Sequence, residues 1–260
     1  MRAEQADHPV APGTEVGPGR RDRVLTLVAL AVLTGTAWAI LGLMVGTGDA
    51  ATPFGEGSWG LAEAFGLFVM WLVMMTAMMV PSATPVFLLY LAILRRRHGT
   101  TPLRHGSAFV AGYLTAWAGF GALATGAQYA LHAAALLSAD AMRIAPPLAG
   151  ILLLAAGVWQ WTPLKRACLL HCRSPLHFFT VAWREGARGA FTMGARHGLW
   201  CVGCCWMLMT LLFVAGVMNL LWIAALSALV LVEKVAPEGL RLGRAWGLLL
   251  VTAGVWLLLR

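Results

Sequence analysis

The chain has 260 residues, of which 60% are hydrophobic and only 12% are charged. Soluble domains contain about a quarter charged residues, so this composition excludes an ordinary soluble domain and indicates a lipid bilayer as the surrounding medium. The formal net charge of +8 does not indicate a nucleic-acid partner, because the basic residues lie at the ends of apolar runs, where they orient membrane segments. The five cysteines are odd in number and confined to two short stretches, which argues against a disulfide framework.

The chain begins with a polar segment, residues 1–23, that is rich in proline, glycine and charge. It has too few apolar residues to fold alone and is predicted to be a disordered cytoplasmic tail. The first apolar run, near 24–46, is longer than the 7–15 residues of a signal-peptide core and is expected to remain as a membrane anchor. Residues 24–260 are therefore predicted to form one transmembrane helical domain.

Apolar runs of spanning length, about 17–25 residues, predict an all-α polytopic transmembrane helix bundle with about seven spans. After the first run they lie near 61–80, 107–137, 146–162, 199–217, 220–236 and 244–259. Apolar character in the second run continues to Leu94, and Pro81 and Pro85 are expected to kink or break that helix.

The basic residues are distributed unevenly between alternate connecting segments. Seventeen of the 19 Lys and Arg residues fall on one set of segments and two on the other. This positive-inside pattern predicts a cytoplasmic N-terminus, a cytoplasmic loop at 163–198 and an external C-terminus, in a bacterial inner membrane. Glu233 and Lys234, at the end of the sixth predicted span, are expected to mark the membrane interface rather than its interior.

Three cysteines, Cys201, Cys204 and Cys205, open the fifth predicted span. At about 100° per residue they fall on one face of a helix, close enough to share a ligand. A lone membrane cysteine is usually a small hydrophobic residue in a packed helix. Three thiols on one face of a single turn instead favour a metal site.

A second group of candidate ligands lies in the predicted cytoplasmic loop. Cys168 and Cys172 are four residues apart, so their sulfurs face one way if the segment is helical. The predicted topology places them at the level of Cys201, so the five thiols could converge. His171 and His197 are candidate nitrogen ligands, although a histidine beside Arg173 or Arg196 is equally often only solvated.

The second predicted span contains a cluster of five methionines. Met70, Met74 and Met78 form one row at four-residue spacing, and Met75 and Met79 form an adjacent one. Methionines often fill irregular helix contacts. In a chain that also has a thiol cluster, the same thioethers are candidate ligands for a soft monovalent ion such as Cu(I).

The motifs together resemble a bacterial family of predicted metal-binding integral membrane proteins, a domain-of-unknown-function family with a CxGCCW motif. The residues that carry the resemblance span roughly 60–236 and comprise Met74–Pro81, Thr162–Lys165, Cys168, Cys172, Arg173, Cys201–Trp206, Met218, Asn219, Glu233 and Lys234. Tyrosine is expected in that family where Trp159 and Trp200 stand here. The resemblance implies a membrane protein that binds a metal.

The hypothesis from the sequence is a membrane protein that binds a soft transition metal, copper before zinc, for transport, delivery or homeostasis. Thiolate and thioether ligands favour Cu(I) or Zn(II) over Mg and Ca, and the methionines favour Cu(I) over Zn(II). A metallochaperone or a second membrane subunit is the expected protein partner. One alternative is a thiol-redox enzyme in which Lys165, Arg166 or Arg173 favours a nearby thiolate; another is a structural zinc site.

Overall fold

The computed structural model describes residues 20–46, 60–99, 103–137 and 143–260. Within these ranges the chain is helical, as predicted. Leu137 and Ile144 form an isolated antiparallel β-bridge. The helices are α1 (Arg20–Gly46), α2 (Leu61–His98), α3 (Leu103–Ala133), α4 (Pro146–Trp159), α5 (Pro163–Arg173), α6 (Pro175–Ala182), α7 (Gly186–Thr210), α8 (Leu212–Ala215), α9 (Leu220–Val235) and α10 (Gly239–Leu258).

Local sequence signals account for the ends of the short helices. Pro146, Pro163 and Pro175 lie in the first turns of α4, α5 and α6, where the missing N–H of proline costs nothing. Thr162 caps α5 by accepting a hydrogen bond from the Lys165 amide at 3.2 Å. The position of α5, which carries two cysteines, is thus set by its own sequence.

Five of the helical segments are long and apolar enough to cross a membrane: α1, α2, α3, α7 with α8, and α10. The bent pair of α4 and α5, which meet at 63°, raises the number to six if the pair forms one span. The helix α9 has 16 residues and is shorter than the roughly 20 residues of a typical span. The number of described helices that are long and apolar enough to cross a membrane is therefore below the seven spans predicted from the sequence.

The prolines of α2 do not break it, because Pro81 and Pro85 both lie inside one continuous helix. Hydroxyl groups next to the prolines donate to the backbone of this stretch. Ser82 Oγ donates to the carbonyl of Met79 at 2.9 Å, and Tyr113 Oη donates to the same carbonyl at 3.2 Å. These side-chain donors add to the hydrogen bonds of α2 beside the prolines, whereas the carbonyls that lose a helical donor to Pro81 and Pro85 are those of Ala77 and Pro81.

The helices α3 and α7 pack closely because small residues face each other between them. A Cβ atom on Gly194 would lie 1.9 Å from the carbonyl oxygen of Phe109, and one on Gly112 would lie 2.0 Å from that of Phe191. The helices α4 and α10 meet in the same way, since a Cβ on Gly157 would lie 2.7 Å from the carbonyl oxygen of Gly247. Small residues of this kind allow close helix contact in lipid.

Polar contacts join several helix ends and connecting segments at one end of the bundle. Arg95, in the last turn of α2, pairs with Asp22 in the first turn of α1 at 2.7 Å. His98 Nε2 lies 3.0 Å from the carboxylate of Glu185, which immediately precedes α7. The start of α1, the end of α2 and the start of α7 therefore lie together.

Two predicted boundaries differ from the structure. Of the predicted disordered tail 1–23, residues 1–19 lie outside the described residues, whereas 20–23 form the first turn of α1. The predicted loop 163–198 is mostly helical, as α5, α6 and the first half of α7. Its charged residues lowered the apparent hydropathy, but glycines at 189, 194 and 198 pack this half of α7 against its neighbours.

Candidate metal centre

The centre is built around three cysteines on α7. Cys201, Cys204 and Cys205 are each about 1% exposed. The thiols of Cys204 and Cys205 donate to the carbonyl oxygen of Cys201, at 3.1 Å and 3.0 Å. Hydrogen bonds of this type direct both side chains back along the helix, so the three thiols lie within one turn.

The helix α5 brings a fourth thiol to this group. Cys172 Sγ lies 4.0 Å from Cys204 Sγ, and the role of these thiols as ligands of one metal ion stays a prediction. Cys168 lies one turn earlier, against Gly203 of α7, where a Cβ atom would lie 2.8 Å from its sulfur. The glycine of the motif Cys-Val-Gly-Cys-Cys therefore makes room for α5.

The helix α2 supplies a thioether on another side of the group. Met79 Sδ lies 4.0 Å from Cys205 Sγ. Tyr113 of α3 connects the two elements, because its hydroxyl donates to the Met79 carbonyl and also lies 3.1 Å from Cys201 Sγ. A buried tyrosine hydroxyl therefore fixes the position of the methionine relative to the thiols.

A lysine from α9 points into the same group. Lys234 Nζ lies 2.9 Å from Cys201 Sγ and 3.0 Å from Ser82 Oγ. The side chain of Lys234 is half-buried, and its ammonium is placed to pair with Cys201 when that group is a thiolate. The expectation that Lys234 marks the membrane interface stays a prediction, but its ammonium also contacts the thiol group.

The neighbouring acid, Glu233, points the other way and is also buried, at 2% exposed. Its carboxylate accepts a hydrogen bond from Lys165 Nζ at 2.7 Å, and Lys165 also donates to Gln160. Arg173 donates to the Glu233 carbonyl at 2.8 Å. Glu233 therefore fastens α5, and with it Cys168 and Cys172, to α9; its expected position at the membrane interface stays a prediction.

The methionine row does not contribute evenly. Met79 is the member with a contact to a thiol. The other four, Met70, Met74, Met75 and Met78, are buried in the helix core with at most 1% exposure. Met79, the last residue of the row, is therefore the strongest candidate ligand among the five methionines.

Both candidate histidines are engaged in ring contacts. His171 stacks on Trp200 with ring centroids 4.2 Å apart, and its Nδ1 lies 2.8 Å from the carbonyl oxygen of Ala167. His197 is buried and stacks on Tyr113 at 5.9 Å between centroids. They are neighbours of the thiol group in this geometry, and their role as ligands stays a prediction.

Within the described ranges, no three or more His, Cys, Asp or Glu side chains are arranged so that they could hold a metal ion together. What the sulfurs form instead is two pairs, Cys172 with Cys204 and Cys205 with Met79, each 4.0 Å apart. With metal–sulfur bonds of about 2.3 Å, two sulfurs on one ion stand about 3.8 Å apart at a tetrahedral angle and about 4.6 Å apart when opposite. Either pair is at a separation that one ion can bridge.

Reasoning from the sequence missed Tyr113, Lys234 and Ser82 as neighbours of the thiols. Lys234 carried a usable signal, since it directly follows the long apolar run of α9 and an ionisable residue in such a position is a functional candidate by default. Tyr113 and Ser82 carried no such signal. Only the packing of α2 and α3 against α7 identifies them.

Comparison with known proteins connects this centre to copper. A sequence model of the PpoB2 family, described as a copper chaperone, matches residues 68–257. The match covers most of the chain, including every cysteine and methionine of the centre, and the chain belongs to this family. No curated protein and no solved structure matches it. Family membership associates the protein with copper.

Proposed function

We propose that the protein is a membrane-embedded copper chaperone that holds Cu(I) on its buried sulfur cluster. The cluster consists of Cys172, Cys201, Cys204, Cys205 and Met79. The observation that carries this proposal is the convergence of α2, α5 and α7. It forms two sulfur pairs, and the two sulfur atoms within each pair are 4.0 Å apart. In this proposal copper is the cargo, and the protein partner is a donor or acceptor of the same ion.

The ligand types support Cu(I) as the preferred cargo over Zn(II). Soft thiolate and thioether sulfurs are the ligands that Cu(I) prefers, and the cluster adds a neutral thioether, Met79, to four thiols. Structural zinc sites almost always use four ligands in a closed tetrahedron. A pairwise arrangement suits an ion that must be released again, which is what a chaperone requires.

The charge balance of the cluster supports the same choice. A Cu(I) ion bound by two thiolates carries one net negative charge, which is costly in a poorly solvated site. The ammonium of Lys234, 2.9 Å from Cys201 Sγ, provides the compensating positive charge. The same ammonium would pair with the Cys201 thiolate before copper arrives.

We further propose seven membrane crossings, with the short helices α4 and α9 included and α5 lying at the cytoplasmic side. The basic segments then share one side, and the contacts of Arg95 with Asp22 and of His98 with Glu185 support a common end for them. This arrangement gives a cytoplasmic N-terminus and an external C-terminus. It places Cys172 toward the cytoplasm.

A thiol-redox function is the second candidate, because Cys172 and Cys204 are close and all five cysteines are free thiols. A disulfide would require the two sulfurs to move from 4.0 Å to about 2.05 Å. Reversible oxidation of this pair in protein that binds no copper would favour the redox function.

Elemental analysis of anaerobically purified protein tests the proposed function. The wild type should contain copper after expression with copper, and Cys204→Ser should lose most of it, because Cys204 is the member that pairs with α5. A matched control is Met209→Leu, a buried position on the same helix. Zinc in place of copper, or equal copper in wild type and Cys204→Ser, would contradict the proposal.

A further inference from the structure

Cys204 and Cys205 are adjacent on α7 but face different helices. Cys204 Sγ lies 4.0 Å from Cys172 of α5, whereas Cys205 Sγ lies 4.0 Å from Met79 of α2. We infer that these pairs are two successive Cu(I) positions, an outer one at Cys172–Cys204 and an inner one at Cys205–Met79, joined by Cys201. The inference rests on the proposed function and assigns a direction within the cluster.

The exposure of the sulfur residues sets the order of the two positions. Cys172 is 8% exposed and Cys168 5%, whereas the three cysteines of α7 are each at 1% and Met79 is at 0%. Cys172 also lies on a helix with exposed residues on its other face, such as Arg166 and Leu170. Copper arriving from a partner therefore meets α5 first and Met79 last.

Cys201 is placed to serve both positions. It lies one helical turn before Cys204 and Cys205 on the same helix. Its backbone carbonyl accepts hydrogen bonds from the thiols of Cys204 and Cys205, so the two thiols belonging to different pairs are both tied to one residue. Lys234 contacts Cys201, and its positive charge therefore stays beside the ion in either position.

The transfer is a ligand exchange in which copper remains Cu(I). Copper first has bonds to the Cys172 and Cys204 thiolates. A bond to the Cys201 thiolate forms and the bond to Cys172 breaks; a bond to Cys205 then forms as the bond to Cys204 breaks. The proton that Cys205 loses passes to Cys204, and Cys172 takes one from a solvent water, which leaves as hydroxide into the solvent. Met79 completes the inner position as a neutral ligand, and no oxidant or reductant is needed.

The inner position differs from the outer one in having a thioether, which gives a direct test. Full-length protein is prepared with selenomethionine, loaded with Cu(I), and studied by X-ray absorption at the selenium edge. We expect copper–selenium scattering in the wild type, its loss in Met79→Leu, and its retention in Met74→Leu, a buried methionine of the same helix. Scattering that is absent in the wild type, or unchanged in Met79→Leu, would overturn the inner position.

The outer position is tested by the rate of loading from a Cu(I)–thiol complex. Cys172→Ala should load about tenfold more slowly or worse, because entry loses its first ligand, and its final copper should still show copper–selenium scattering. Met79→Leu should load at the wild-type rate. Wild-type loading by Cys172→Ala would overturn the order of positions. Wild-type protein that binds no copper at all would instead contradict the proposed function.

Discussion

Lys234 Nζ lies 2.9 Å from Cys201 Sγ, so a cation of the protein itself lies beside a thiol of α7 that also contacts Tyr113 of α3. We predict that Lys234→Met lowers Cu(I) affinity about tenfold, or roughly 1.4 kcal/mol, because the negative copper–thiolate group loses its counter-charge. Competition with a chromophoric Cu(I) chelator measures this. Lys234→Arg should retain more affinity than Lys234→Met. Wild-type affinity in Lys234→Met would show that the ammonium does not stabilise the bound ion.

The preference for copper over zinc is predicted to depend on Met79. Met79→Leu keeps volume and hydrophobicity nearly constant, a change that usually costs less than about 1.5 kcal/mol of stability, so the protein should insert normally. Cu(I) affinity should fall while Zn(II) affinity stays the same, because zinc does not need the thioether.

The sequence alone predicts the same loss for Met74 and Met78 together. Because Met79 is the methionine that contacts Cys205, we expect that Met74→Leu with Met78→Leu leaves copper affinity nearly unchanged. The double variant is thus the matched control for Met79→Leu. If Met79→Leu and the double variant change Cu(I) affinity by the same amount, Met79 has no special role among the methionines of α2.

Gly203 is predicted to set the distance between α5 and α7. In Gly203→Ala the new Cβ would lie 2.8 Å from Cys168 Sγ, so either the Cys168 side chain rotates or α5 moves away from α7, and we expect α5 to move. Oxidative cross-linking of Cys172 to Cys204 should become slower than in the wild type. Gly119→Ala is the control, since nothing lies within 4 Å of its new Cβ; an equal change in both variants would show that the effect is not local.

The buried pair Lys165–Glu233 is predicted to hold α5 in place. Lys165→Met leaves an uncompensated buried carboxylate and should cost about 3–5 kcal/mol of unfolding free energy. Adding Glu233→Gln removes that charge, and the double variant should be more stable than Lys165→Met alone. Thermal unfolding in detergent provides the comparison. Strictly additive losses would mean that the two side chains do not interact.

The topology predicts opposite signals from reporter fusions at Thr180 and Arg260. Thr180 lies in α6, on the side that we propose to be cytoplasmic, and Arg260 lies on the side that we propose to be external. A cytoplasmic reporter should be active at Thr180 and an external one at Arg260. The same compartment for both would change the number of crossings by one.

Much of the site was accessible from the sequence because it depends on local spacing. Cys201, Cys204 and Cys205 lie within one helical turn, and the convergence with Cys172 followed from the charge-derived topology. The inward direction of Lys234 and Glu233 was not accessible, because it depends on how α9 rotates against α2 and α5. The same applies to Met79, which differs from Met75 by one turn and is distinguished only by the contact with Cys205.

The predicted start of α7 differs from the structure for a related reason. The first half of α7 contains Arg188 and Arg196, so a hydropathy pattern places the helix start near residue 199, whereas the helix begins at Gly186. Its charged residues are tolerated because Gly194 and Gly198 bring this half against α3. Helix packing through glycines leaves no hydrophobic signal in the sequence.

The most direct test of the sulfur cluster is X-ray absorption at the copper edge of full-length, Cu(I)-loaded wild-type protein. The account predicts a shell of sulfur ligands only, because the cluster consists of thiols and one thioether. A shell dominated by nitrogen or oxygen would place copper at His171, His197 or elsewhere and would contradict the proposed centre.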